Sequence, residues 1–120
     1  MKILLIEDNE LNLDMLSRRL ERKGFTITSA TDGISGIEKA NKENPELIIM
    51  DLSLPILNGW DAAKKLKGEI ATKSIPIIAL TAHAMKGDKQ KALNAGCDEY
   101  DTKPVDFDRL LGKIGKVTGT

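Results

Sequence analysis

Leu47-Ile48-Ile49-Met50, residues 47–50, places four apolar side chains in a row with no polar alternation, and Asp51 follows at once. A strand that is apolar on both faces belongs inside a parallel sheet covered by helices on each side. Ile75-Pro76-Ile77-Ile78-Ala79-Leu80 repeats the pattern and leads into Thr81. Outward from these two runs, short apolar stretches alternate with longer segments of helical period. Lys2 to Ile6 comes first, then Glu10 to Lys23, where Leu13, Leu16 and Leu20 share one face and Lys23-Gly24 supplies a stop. Phe25 to Ala30 reads as a second strand. Asp32-Gly33 turns the chain into a helix carrying Ile34, Ile37 and Ala40, ended by Asn44-Pro45. A third helix is predicted from Gly59 to Ile70 and a fourth from Ala84 to Asn94, closed by Gly96. Cys97 to Asp101 makes the last strand, and a final helix puts Phe107, Leu110, Leu111, Ile114 and Val117 on one stripe.

Five strands alternating with five helices predict an open, doubly wound α/β sandwich, because parallel strands need crossovers and the crossovers are right-handed. In the flavodoxin-type order 2-1-3-4-5, strands one and three are neighbours, and ligands bind at the carboxyl ends of the strands. The chain has 120 residues, 41% hydrophobic and 30% charged, which suits one globular domain and is far from a disordered composition. Eighteen basic residues balance eighteen acidic ones, so no global field draws the protein to nucleic acid or anionic lipid. One cysteine excludes an internal disulfide framework, and one histidine leaves too few soft ligands for a zinc or iron–sulfur site. The apolar opening stops at Glu7 and Asp8, well short of the roughly 20 residues of a membrane span. A soluble, cytoplasmic protein is expected.

Glu7 and Asp8 end strand one and Asp51 ends strand three, so three carboxylates converge on one crevice. Two like charges about 4 Å apart repel by roughly 4 kcal/mol at an effective dielectric near 20, enough to raise one pKa or recruit a cation. With oxygen ligands only, magnesium fits better than calcium or zinc. Taken alone, the Glu7-Asp8 pair reads equally well as a solvated acidic loop. Thr81 after strand four and Lys103 after strand five border the same crevice from its other side, although singly each reads as a helix cap or a surface charge. Together they complete a set for phosphoryl transfer: a carboxylate nucleophile in Asp51, a metal, a hydroxyl donor and a cation.

At these positions the chain resembles the receiver domain of two-component response regulators over residues 1–120. The resemblance rests on Ile6-Glu7-Asp8-Asn9, on Asp51 followed by Pro55 and Gly59, on Thr81-Ala82 and on Lys103-Pro104. In finer detail, Asn9-Glu10, Thr81 to Asp88 and Ala95-Gly96-Cys97-Asp98 are similar to the cell-division (DivK-like) type and to receivers of hybrid histidine kinases. The resemblance implies that Asp51 accepts a phosphoryl group from a histidine kinase or a histidine phosphotransfer protein. It implies Mg2+ held by Asp8, Asp51 and the Ser53 carbonyl, with Glu7 on a metal-bound water. Lys103 would pair with phosphoryl oxygens, the Lys103-Pro104 bond would be cis, and Thr81 with Tyr100 would form a switch altering the face of helix four, strand five and helix five. A downstream protein would read that face. Glu7 in place of a frequent aspartate and Leu54 in place of a common methionine preserve chemistry and volume class.

Only three residues follow the last helix, so a stand-alone switch with no effector domain is expected, and output through protein contact rather than DNA. A receiver cut from a hybrid kinase is the alternative. A magnesium-dependent phosphatase using an aspartyl phosphate would carry a second aspartate two positions after its nucleophile, unlike Glu7-Asp8. A nucleotide-binding protein would carry a Gly-rich phosphate loop, and none occurs. The other distinctive residues have plainer readings: Cys97 as a buried small hydrophobe, Met15, Met50 and Met85 as gap fillers, Trp60 packed beside Asn58-Gly59, and His83 exposed in the first helical turn.

Overall fold

The computed structural model describes residues 1–54, 56–82 and 87–119. The strands are β1 (Lys2–Ile6), β2 (Thr26–Ala30), β3 (Leu47–Asp51), β4 (Ile77–Thr81) and β5 (Glu99–Thr102); the helices are α1 (Glu10–Arg22), α2 (Gly33–Glu43), α3 (Gly59–Gly68), α4 (Asp88–Asn94) and α5 (Phe107–Thr118). All strand pairings are parallel and the order is β2-β1-β3-β4-β5. This is the doubly wound α/β sandwich expected from the apolar runs.

The sheet divides the core in two, because alternate side chains along each strand face opposite sides. Leu4, Ile6, Ile48, Met50, Ile77 and Ala79 pack with Ile37 and Ala40 of α2, Ala62 and Leu66 of α3 and Ala92 of α4. Ile3, Leu5, Leu47, Ile49, Ile78 and Leu80 pack on the opposite side with Leu16 and Leu20 of α1 and Phe107, Leu110 and Ile114 of α5. Every residue of β3 and β4 is buried, which is why neither run alternates.

Four helices start on a side-chain cap that removes an orphan N–H: Asn9 accepts from Asn12 N at 3.0 Å, Asp32 from Ser35 N at 2.8 Å, Asn58 from Asp61 N at 3.0 Å and Asp106 from Arg109 N at 3.0 Å. Each such cap is worth about 1 kcal/mol. Because each helix follows a parallel strand, these capped helices start at the end of the sheet that carries the crevice.

The departures from the expected boundaries have local causes. β4 begins at Ile77 rather than Ile75, since Pro76 has no N–H to give, although its carbonyl accepts from Ile48 N at 2.9 Å. β5 begins at Glu99 because the N–H of Cys97 is spent on Ala92 of α4. α3 ends at Gly68, where Glu69 turns extended, and leaves Ile70 86% exposed. Of the expected fourth helix, residues 84–86 lie outside the described residues, as do Pro55, His83 and Met85. Cys97 is buried and Met50 is in the core, but Met15 is exposed on α1 and fills no gap. Trp60 is partly buried against the core and carries the Lys91 ammonium 4.7 Å from its ring centroid. Among the described residues, no helix is long and apolar enough to cross a membrane.

Candidate functional site

Glu7 follows β1, Asp51 ends β3, Thr81 ends β4 and Lys103 follows β5, so the parallel sheet delivers all four to one edge. One oxygen from each of Glu7, Asp8 and Asp51 lies within 4.8 Å of the others. Glu7 and Asp51 are buried, whereas Asp8 is exposed. The convergence of three carboxylates is therefore real, and the repulsion between the two buried ones is offset from within the chain. Lys103 Nζ donates to Glu7 Oε1 and Oε2 at 2.8 and 3.0 Å and to Asp51 Oδ2 at 2.9 Å.

The remaining contacts aim these groups. Asp51 Oδ1 accepts from the Ser53 N–H at 2.9 Å, which turns the loop after β3 back over the carboxylate. Asn12, on the first turn of α1, donates to Glu7 Oε1 at 3.2 Å. Lys103 N donates to the Thr81 carbonyl at 2.7 Å, tying the chain after β5 to the end of β4. The Lys103-Pro104 peptide is cis. Thr81 is buried, and Tyr100 is buried within the core cluster on the side of α4.

Burial first, and then the neighbouring Asp51, push the Glu7 carboxyl up to about 7 against the pull of Lys103. Burial acts to raise Asp51 too, but hydrogen bonds to Glu7, the Ser53 N–H and Lys103 hold it below its ordinary value. Lys103 is raised despite burial, because two carboxylates hold its proton. Between the ordinary Glu7 pKa of 4.5 and about 7, the folded metal-free protein thus keeps a proton that the unfolded chain has released. Its stability is expected to fall across that window as pH rises, by on the order of 3 kcal/mol, and Glu7→Gln is expected to flatten the slope. Thermal melts in chelator between pH 4.5 and 8 check this; a parent protein that gains stability across the window would show that Glu7 is not held protonated.

The sequence pattern of the response regulator receiver domain matches residues 3–115. The chain belongs to that family. The receiver is 34% identical over 117 residues to the polar-differentiation response regulator DivK of Brucella ovis, covering 98% of this chain and 95% of that protein. Its structure is similar to the receiver domain of a sensor histidine kinase from Pseudomonas aeruginosa, solved with magnesium in its active-site cleft (TM-score 0.91, 34% identity, 99% of this chain and 98% of that one). It is also similar to a Saccharomyces cerevisiae response regulator receiver solved with a histidine phosphotransfer protein (TM-score 0.89, 32% identity, 99% and 89% coverage).

The donor set of this receiver fits magnesium. Its side-chain ligands are all carboxylate oxygens, they converge from two neighbouring strands, and the exposed Asp8 leaves one side open to the waters that magnesium retains. The sequence missed three features. The hold of Lys103 on both Glu7 and Asp51 is one. Asn12 supports Glu7, one helical turn beyond the Glu7-Asp8 motif. Glu99 and Asp101 are buried beneath α5, and their alternation with Lys103 along one period-two row was the available signal.

Proposed function

We propose that this receiver is a phosphorylation switch in which Asp51 is the phosphoacceptor. The observation that carries the reading is the Lys103 ammonium between two buried carboxylates at the carboxyl edge of the sheet. A carboxylate held below its ordinary pKa and aligned by the Ser53 N–H is available as a nucleophile at neutral pH. One Asp51 oxygen bonds to phosphorus while the phosphorus–nitrogen bond of the donor phosphohistidine breaks, and the electron pair leaves with the imidazole, which takes up a proton. Lys103 exchanges its hold on Glu7 for the incoming phosphoryl oxygens. Asp8, Asp51 and the Ser53 carbonyl, with Glu7 acting through a water, would hold magnesium, which would supply neutralisation of the charge spread over those oxygens.

Thr81 is the hydroxyl that responds to the new group, and Tyr100 the ring whose packing follows. Tyr100 is already buried here, the packing this reading assigns to the phosphorylated form. Phosphorylation then shifts a population rather than creating a new state, and a change from 1:99 to 99:1 requires a difference of about 5.5 kcal/mol. The output face is α4-β5-α5, read by a protein target in the cytoplasm. The partner upstream is a histidine kinase or a histidine phosphotransfer protein, a role supported by the yeast receiver solved with one. A stand-alone regulator is supported by the 95% coverage of the DivK relative. A receiver within a hybrid kinase is the second reading, favoured by the similarity to a sensor-kinase receiver. In both, the chain assists its own phosphorylation and dephosphorylation and turns over no separate substrate.

Incubation with acetyl phosphate and Mg2+ tests the reading. Stoichiometric, acid-stable and base-labile labelling of the parent is expected, with none in Asp51→Asn. Sustained rapid consumption of the donor, or full labelling of Asp51→Asn, would count against it.

A further inference from the structure

β5 is an edge strand, and on the side covered by α5 it presents two carboxylates opposite Ile78 and Leu80. Glu99 and Asp101 are only 7% and 4% exposed. Three bases of α5 meet them. Lys116 Nζ lies 3.0 Å from Glu99 Oε2, Lys113 Nζ lies 3.7 Å from Glu99 Oε1 and 3.9 Å from Asp101 Oδ1, and Arg109 places Nε and a terminal nitrogen each 2.8 Å from Asp101 Oδ1. Well-packed apolar side chains would stabilise such an interface at least as well, since desolvating ions offsets most of their attraction. Stability alone does not account for Asp101.

The hydrogen bonding of Asp101 is lopsided. Oδ2 is buried with no partner among the described residues, while Oδ1 takes both Arg109 contacts and also accepts from the Thr102 N–H at 2.8 Å. The next amide, Lys103 N–H, is held by the Thr81 carbonyl at 2.7 Å. Two successive amides immediately before the Lys103 side chain are thereby fixed, one by Asp101 and one by β4. A leucine at position 101 would remove this side-chain acceptor of the Thr102 N–H.

We infer that Asp101, oriented by Arg109, is a positioning residue for Lys103: the carboxylate fixes the peptide between 101 and 103, and this sets the ammonium between Glu7 and Asp51. The inference rests on the proposed role of Lys103 in phosphoryl transfer. It has a distinctive consequence, because in the metal-free protein the Lys103 ammonium competes with a cation for the same two carboxylates. A loosened Lys103 lets the metal bind more tightly while phosphorylation becomes slower.

Asp101→Leu, Asp101→Asn and Arg109→Leu test this below their melting temperatures, with Mg2+ affinity read from Trp60 fluorescence and phosphorylation followed with acetyl phosphate at saturating Mg2+. Asp101→Leu and Arg109→Leu are expected to tighten Mg2+ binding about threefold and slow phosphorylation about tenfold, and Asp101→Asn, which keeps an oxygen for the Thr102 N–H, to stay within about twofold of the parent. Arg109 is 45% exposed, so Arg109→Leu carries the test if Asp101→Leu does not fold. Unchanged values in the leucine variants, or a parallel loss of metal affinity and rate, would overturn the inference and leave Asp101 a docking residue for α5. A parent protein that takes no label at all would instead overturn the phosphoacceptor reading, with the Mg2+ measurement still deciding whether Asp101 places Lys103.

Discussion

Replacing Lys103 by methionine is expected to lower the melting temperature of the metal-free protein by about 10 °C at pH 8 and by much less at pH 5.5. The stem is retained, so the change isolates the charge. Glu7 and Asp51 stay buried, and without Nζ at 2.8–3.0 Å they face each other with no internal cation. Removing one partner from such a group typically destabilises by about 3–5 kcal/mol, because the remaining charge is buried unpaired. Glu7 limits the damage by taking a proton. Its carboxyl already stands at about 7, and losing Lys103 raises it further, so at pH 5.5 it is neutral and little repulsion remains. Added Mg2+ is expected to restore much of the loss at pH 8, since the cation replaces the missing ammonium between the carboxylates. Melting curves at the two pH values, in chelator and in Mg2+, read both effects. Equal losses at pH 5.5 and pH 8 would show that the charge of Lys103 is not what holds the pair together.

Gly59→Ala is expected to destabilise the protein by about 2–3 kcal/mol and to slow phosphorylation at least tenfold. A Cβ at Gly59 would lie 2.6 Å from Leu52 Cα and 2.7 Å from the Asp51 carbonyl oxygen, so the added methyl meets backbone that has no rotamer to change. Gly59 N also donates to Leu52 O at 3.0 Å, which seats the first turn of α3 directly on the chain after Asp51. Relieving the clash must displace either α3 or the segment carrying Asp51 and Ser53. Gly68, at the other end of the same helix, is the control. Nothing lies within 4 Å of a Cβ there, and Gly68→Ala is expected to leave phosphorylation unchanged and to raise stability by up to about 1 kcal/mol. Denaturant titrations with acetyl phosphate labelling of both variants check the contrast. A Gly59→Ala protein as stable and as active as the parent would mean that the loop after β3 tolerates displacement.

Much of this architecture is legible in the chain because burial leaves a periodic trace. Leu47 to Met50 and Ile77 to Leu80 are covered on both faces, so their apolar runs announce central parallel strands. The stripe on α5 and the turn at Asp32-Gly33 are equally local, set by spacing within one helix or its first turn, whereas the caps at Asn9, Asn58 and Asp106 emerge only from the structure. Element ends are less legible. Pro76 and Cys97 shift strand starts because their backbone bonding depends on neighbours that a linear reading does not see.

The amino-acid sequence alone determined that Glu7, Asp8, Asp51, Thr81 and Lys103 stand at strand ends. In a parallel sheet all carboxyl ends share one edge, so their meeting follows from topology. Only the tertiary structure decided which atoms touch. Lys103 and Glu7 are 96 residues apart, and that the ammonium bridges Glu7 and Asp51 depends on how β1, β3 and the chain after β5 pack within an ångström or so. The same holds for Glu99 and Asp101, polar letters in a strand whose burial is set by where α5 lies. Periodicity reports which side of an element is covered, whereas hydrogen-bond distance depends on packing summed over the whole domain.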